Sequence, residues 1–148
     1  IEIRPDSNKL LQTRANFYES KGKLKLAYSD YSRCLKLNPI NYRARYQRAQ
    51  IAINLKKYNV AIADYSEVIR ANGLDDEAFK RRGDAYFAVG QYQKAVTDFT
   101  EAIGLNPKLS SYYASRARAY AKLGDPVKAA RDRKKAQQLY RAPAVKKI

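Results

Sequence analysis

Arg81 and Arg82 stand side by side in the stretch KRRGDAYFAVGQYQKA, residues 80–95. A guanidinium presents a planar fork of donors that meets a carboxylate or a phosphate at two points, so a pair of arginines raises the question of an anion site. The two follow different patterns. Arg82 recurs as Arg14, Arg48 and Arg116, and sixteen residues after each comes Asp30, Asp64, Asp98 or Asp132. A cation and an anion matched in this way four times over read as a structural ion pair between helices. Arg81 has no such fourfold counterpart, and a step of about 100° around a helix axis separates it from Arg82. Arg81 is therefore the ligand candidate of the two.

Other reactive side chains are scarce. The chain has no histidine, which removes His-based general-base and metal roles. The only cysteine, Cys34, falls in register with Val68, Ala102 and Ala136, so it reads as a packed core residue rather than a nucleophile. No glycine-rich phosphate loop occurs, and the carboxylates form no paired-acid site. These observations argue against an enzyme, and no cofactor or metal is expected. A lone cysteine forms no internal disulfide, which leans toward a reducing compartment such as the cytoplasm. No apolar run approaches the roughly 20 residues of a spanning helix, so no membrane span is expected. No signal-peptide pattern is present at Ile1, and a start without methionine reads as an excised or processed piece. With 30 Lys and Arg against 14 Asp and Glu, the net charge of +16 favours acidic partners. The 45% apolar content and 13 tyrosines point to a folded chain.

The elements that position these residues follow from a repeat. Ala27, Ala61, Ala95 and Ala129 are 34 residues apart, as are Ala15, Ala49, Gly83 and Ala117. The Arg and Asp columns keep the same step without an insertion. Each unit reads as two helices. In the third, Phe79, Arg82, Gly83 and Tyr86 share one face of a 3.6-residue period, Gly90 breaks the helix, and Tyr92, Ala95, Val96, Phe99, Ala102 and Ile103 form a second stripe. Asn106-Pro107 then stops it. Such units bury their faces by stacking on one another.

The segment AFKRRGDAYFAVGQYQKAVTDFTEAIGLNP closely resembles the tetratricopeptide repeat, a 34-residue helix-turn-helix unit, and LLQTRANFYESKGKLKLAYSDYSRCLKLNP resembles it well. The resemblance implies an all-α, right-handed α-solenoid with a concave groove, built as one domain of four units at 8–41, 42–75, 76–109 and 110–143, with a basic extension at 144–148. Three departures stand out: Lys56 replaces the inter-helix glycine, Asn72-Gly73 replaces Asn-Pro, and Arg133 occupies an aromatic position. The fourth unit drifts into AARDRKKAQQLYRAPAVKKI, which reads either as a polar cap on the last helix or as a basic binding element.

In the resembled family the exposed face of the first helices holds the ligand. That implies Lys9, Gln12 and Asn16 (with Thr13) in the first unit and Arg43, Tyr46, Gln47 and Gln50 (with Asn54) in the second. The third contributes Lys80, Arg81 and Asp84 (with Glu77 and Phe87), and the fourth Arg118 and Lys122 (with Ser111 and Ser115). Amides can bond a peptide backbone and cations can engage carboxylates, so the lining suits an acidic or carboxylate-bearing peptide. Two alternatives stand beside that reading. A chaperone-binding carboxylate clamp would use Asn16 and Arg81, but Gln12, Gln47 and Glu77 replace the remaining Lys, Asn and Lys. Nucleic-acid binding would use basic and tyrosine side chains, yet the charge by unit runs +5, +3, 0 and +7, and the neutral third unit interrupts a basic track. Homo-oligomeric assembly stays open as a third class.

Overall fold

The computed structural model describes residues 7–141, which form eight α-helices and no strand. They fall into two compact units, one ending at Gly73 and the other beginning at Leu74. The first unit holds α1 (Asn8–Ser20), α2 (Leu24–Leu37), α3 (Tyr42–Asn54) and α4 (Tyr58–Ala71). In it α2 packs against both α1 and α3, and α4 packs against α3. The second unit holds α5 (Asp76–Ala88), α6 (Tyr92–Leu105), α7 (Ser110–Lys122) and α8 (Pro126–Arg141), packed in the same succession.

Starts and stops recur with the sequence period. The side chains of Ser7, Asn41 and Asp75 accept from the backbone N–H three residues on, at 3.2, 3.0 and 2.9 Å, capping α1, α3 and α5. The fourth position of that column is Leu109, which cannot cap α7. Between the helices of each pair the chain turns through left-handed backbone, at Gly22, Gly90 and Gly124 with φ of 67°, 78° and 75°. Lys56 adopts the same conformation at φ 57°, despite its Cβ. The Asn72-Gly73 departure also ends its helix in register, since α4 stops at Ala71 as α6 stops at Leu105.

The small-residue columns are buried, so helices approach closely there. At Gly83 a Cβ would lie 2.7 Å from the Phe99 ring, so any other residue would have to displace that buried ring. The first unit's core gathers Leu11, Ala15, Ala27, Tyr31, Cys34, Leu35, Ala44 and Ile51. In the second, Ala95, Val96 and Phe99 meet Ala119, with Tyr86, Phe87 and Tyr120 at the margin. Cys34 is thus a packed residue, with its Sγ 3.1 Å from Asn8 Oδ1.

Each Arg column member makes a two-point bond to its Asp across a helix pair. The distances are 2.6 and 2.8 Å for Arg14–Asp30, 2.8 and 2.7 Å for Arg48–Asp64, 2.8 and 2.8 Å for Arg82–Asp98, and 2.7 and 2.9 Å for Arg116–Asp132. In the second unit the guanidinium also lies between aromatic faces: Arg82 is 5.7 and 5.8 Å from Phe79 and Tyr86, and Arg116 is 5.8 Å from both Tyr113 and Tyr120. Arg45 stands in register with these aromatics and instead reaches Asp64 at 3.4 Å. The last helix, α8, buries only Ala129 and Asp132 among its described residues, leaving most of its surface exposed. The basic extension at 144–148 lies outside the described residues.

Candidate functional site

In the first unit the candidate side chains lie on α1 and α3, the two helices flanking α2. Lys9 and Asn16 are exposed on α1 with Gln12 half-buried between them; Arg43 is exposed on α3, where Tyr46, Gln47 and Gln50 are half-buried. Two of them meet one atom. The hydroxyl of Tyr31, whose ring is buried on α2, donates to Asn16 Oδ1 and lies 3.3 Å from Glu19 Oε2. The Gln47 side chain hydrogen-bonds the same phenol, and the Arg43 charge reaches it. Burial, with the Glu19 charge added, pushes the Tyr31 phenol well above the ordinary tyrosine value, while Gln47 and Arg43 pull the other way. Asn16 and Gln47 therefore meet at Tyr31, joining α1 to α3 through α2, with the Arg43 charge acting on the same phenol from α3. Tyr46 meets Tyr65 edge-on, with ring centroids 5.5 Å apart. Lys9 lies two helical turns before Asn16, and Gln50 one turn beyond Tyr46 and Gln47.

The second unit is built from opposed charges. Lys80 Nζ lies 2.6 Å from Asp84 Oδ2, and Arg81 Nε donates to Glu77 Oε1 at 2.7 Å, both pairs four residues apart on α5. From α7, the Tyr112 hydroxyl donates to Asp76 Oδ2 at 2.8 Å and lies 3.2 Å from Glu77 Oε2. Burial raises this phenol too, reinforced by the hydrogen bond to Asp76 and the charge of Glu77. Arg118 on α7 lies over the Phe87 ring, 5.3 Å from its centroid, and Phe87 meets Tyr92 at 5.2 Å. Lys122 ends α7 in solvent. Ser115 corrects an expectation: placed by the family resemblance on the exposed face of its helix, it is buried.

The periodicity misses the organising atoms. Tyr31 shares a column with Tyr65 and Phe99 and so reads as an apolar core ring. Its hydroxyl, the polar handle of a buried tyrosine, is the one cue that it needs partners. Tyr112 stands in register with Ala44 and Ala78, which have no polar group to signal the bond to α5.

Two helices and a left-handed turn, repeated at a step of 34 with an Arg–Asp bond inside each pair, define a repeat type. Family models described as tetratricopeptide repeat match residues 9–41, 42–73 and 76–109. The chain belongs to the tetratricopeptide repeat family. The structure superposes on that of MamA, residue 41 to the end, from Desulfovibrio magneticus RS-1, with a TM-score of 0.89 and 22% identity over 93% of this chain and 78% of that one. MamA of strain MSR-1 gives 0.89 and 22%, covering 93% and 79%. MamA of strain AMB-1 gives 0.87 and 22%, covering 94% and 76%. These likenesses show the fold, an all-helical tetratricopeptide solenoid. No curated protein matches the chain. As a member of this family the protein is an interaction scaffold, and the family's fold is generally non-enzymatic. No described helix is long and apolar enough to cross a membrane.

Proposed function

We propose that this tetratricopeptide protein is a non-enzymatic scaffold whose first-helix faces, α1 with α3 in one unit and α5 with α7 in the other, bind an acidic or carboxylate-bearing peptide. The observation that carries this reading is the meeting of Asn16 and Gln47 at the Tyr31 phenol, on which the Arg43 charge also acts. Two amides able to bond a peptide main chain sit beside a cation able to take a carboxylate, and a buried tyrosine fixes where they stand. In the second unit Arg81 and Lys80 are held by carboxylates of their own helix. Such i,i+4 pairs stabilise by only about 0.3–0.5 kcal/mol, so a ligand carboxylate can replace Glu77 at Arg81 with little loss. The net charge of +16 raises the local concentration of acidic segments and speeds their association.

The test combines a pull-down with direct titration. Wild type is compared with Gln47→Ala combined with Arg81→Glu, and separately with Arg43→Glu. A short Asp/Glu-rich peptide with a free C-terminus is then titrated against each protein. Affinity should fall about tenfold in either variant, roughly 1.4 kcal/mol, and wild-type binding should weaken with added salt. Identical partners in the pull-down and unchanged titration curves would show that these faces do not bind.

A further inference from the structure

The edge where the helices of the first unit turn back is built from lysine and leucine. In register, the four inter-helix turns read KGKLKL at 21–26, LKKYNV at 55–60, VGQYQK at 89–94 and LGDPVK at 123–128, carrying +3, +2, +1 and 0. The first unit therefore concentrates five lysines, Lys21, Lys23, Lys25, Lys56 and Lys57, on its two turns. All five are exposed, and none is in an ion pair among the described residues. The second unit has two lysines at these positions, and one of them, Lys128, is held by Asp125 at 2.9 Å.

Between the two turns lies an open, apolar floor. Gly22, Lys23, Leu24, Lys25, Leu26 and Leu55 line a depression of about 450 Å³, so its walls come from one helix pair and the next. It sits between repeats, not on an end face. Leu24 and Leu55 are half-buried, and Leu26 is 47% exposed. Helices α2 and α4 begin at this edge, with Lys23 and Lys57 as N-caps that make no side-chain cap bond, and the positive ends of both helices add to the lysine charge. Lys56 is a second mark. It takes the left-handed turn position that glycine fills in the other three pairs, and disfavoured backbone of this kind gathers at ligand-binding positions.

The side-chain chemistry says what this edge meets. Lysine is a compact, mobile point charge without the fork that grips one carboxylate or phosphate at two points, so five of them suit a dense layer of anions. The depression has no amide among its lining residues to bond a peptide main chain. The rings at hand already hold a cation, Lys21 at 5.8 Å from the Phe17 centroid and Lys57 at 5.5 Å from that of Tyr28, and are poor platforms for nucleic-acid bases. Leucine among exposed lysines matches a bilayer surface instead, where anionic headgroups draw the charges and the acyl boundary takes the apolar side chain. We infer that the turn edge of the first unit docks on an anionic membrane surface, its five lysines against lipid headgroups and Leu26 at the acyl boundary.

Co-sedimentation with vesicles in about 0.1 M salt is the test, with phosphatidylcholine vesicles set against vesicles that also contain about 30% phosphatidylserine. Wild type should bind the anionic vesicles at least about tenfold more tightly than the neutral ones. Lys23→Gln, Lys25→Gln and Lys56→Gly combined should lower that affinity at least about tenfold. Leu26→Ser should lower it severalfold. A variant of equal net charge, with Arg131→Gln, Lys134→Gln and Lys135→Gln on the exposed surface of α8, should change it by less than about threefold. Every substituted side chain is exposed, and circular dichroism checks that the helices persist. Equal binding to neutral and anionic vesicles would overturn the inference on wild type alone. Equal losses in the two triple variants would overturn it too, since net charge would then explain the binding, as would a Leu26→Ser variant that binds unchanged. So would an oligo-glutamate peptide or a single-stranded oligonucleotide that binds through these lysines while anionic vesicles do not.

Discussion

Lys56 holds a backbone conformation that its own side chain disfavours. Its φ of 57° matches those of Gly22, Gly90 and Gly124 at the equivalent turns, where the absence of a Cβ removes the conflict with the following carbonyl. For a residue with a Cβ this region costs about 1–2 kcal/mol. Glycine would relieve that, at the expense of about 0.4–1 kcal/mol from the greater freedom of the unfolded chain. The native-state term is the larger. Lys56→Gly should therefore raise stability by about 0.5–1 kcal/mol, seen as a higher urea midpoint at unchanged slope. A midpoint that stays or falls would mean that the Lys56 side chain makes a compensating contact.

At the scale of the element, the Arg–Asp bond joins the two helices of each pair, and its surroundings differ from pair to pair. All four aspartates are buried, so removing an arginine strands a carboxylate away from water. For a fully buried pair that costs about 3–5 kcal/mol. Arg82→Ala and Arg116→Ala should approach that range, because each also gives up contacts with two aromatic rings. Arg48→Ala should cost less, since Arg45 remains 3.4 Å from Asp64. Arg14→Ala should cost least, about 1–2 kcal/mol, because water reaches the half-exposed end of that pair. Chemical denaturation of the four variants gives the order directly, and four equal losses would rule out this dependence on surroundings. The pairs themselves were legible in the sequence, because a 34-residue step and a sixteen-residue offset place both columns on facing helix stripes. Arg45 was not: Leu11, Phe79 and Tyr113 share its column, and nothing in that pattern turns a guanidinium toward Asp64. The Tyr31 cluster escaped for a related reason. Periodicity reports which face a residue occupies, whereas Asn16 and Gln47 meet through their side-chain ends and a buried hydroxyl. Ser115 failed differently, since its column holds Thr13, Gln47 and Arg81 and gives no sign that this one small hydroxyl is covered.

For the molecule as a whole, charge and buried phenols pull stability in opposite directions as pH rises. A net charge of +16 repels itself, and lysine deprotonation in alkali relieves that repulsion, favouring the compact state. Near neutrality little changes, because histidine is absent and burial pushes the Cys34 thiol up. Tyr31 and Tyr112 act against the charge term. Both phenols are raised above the ordinary value, chiefly by burial, with Glu19 adding to the effect at Tyr31 and Asp76 and Glu77 at Tyr112. Their unfolded value is about 10. Below it, folded and unfolded phenols are both protonated and the stabilisation is complete. As pH climbs past it, the unfolded chain releases protons that the folded chain keeps, so stability falls toward the folded values. Two raised phenols, one in each unit, outweigh a diffuse repulsion that salt already screens. Stability in about 0.2 M salt should therefore be level through neutral pH and decline above pH ~10. Tyr31→Phe combined with Tyr112→Phe should lower the neutral plateau, because two hydrogen-bonded hydroxyls are lost, and should flatten the alkaline decline. An alkaline limb as steep in the double variant as in wild type would show that the decline comes from charge elsewhere, and that neither buried phenol governs it.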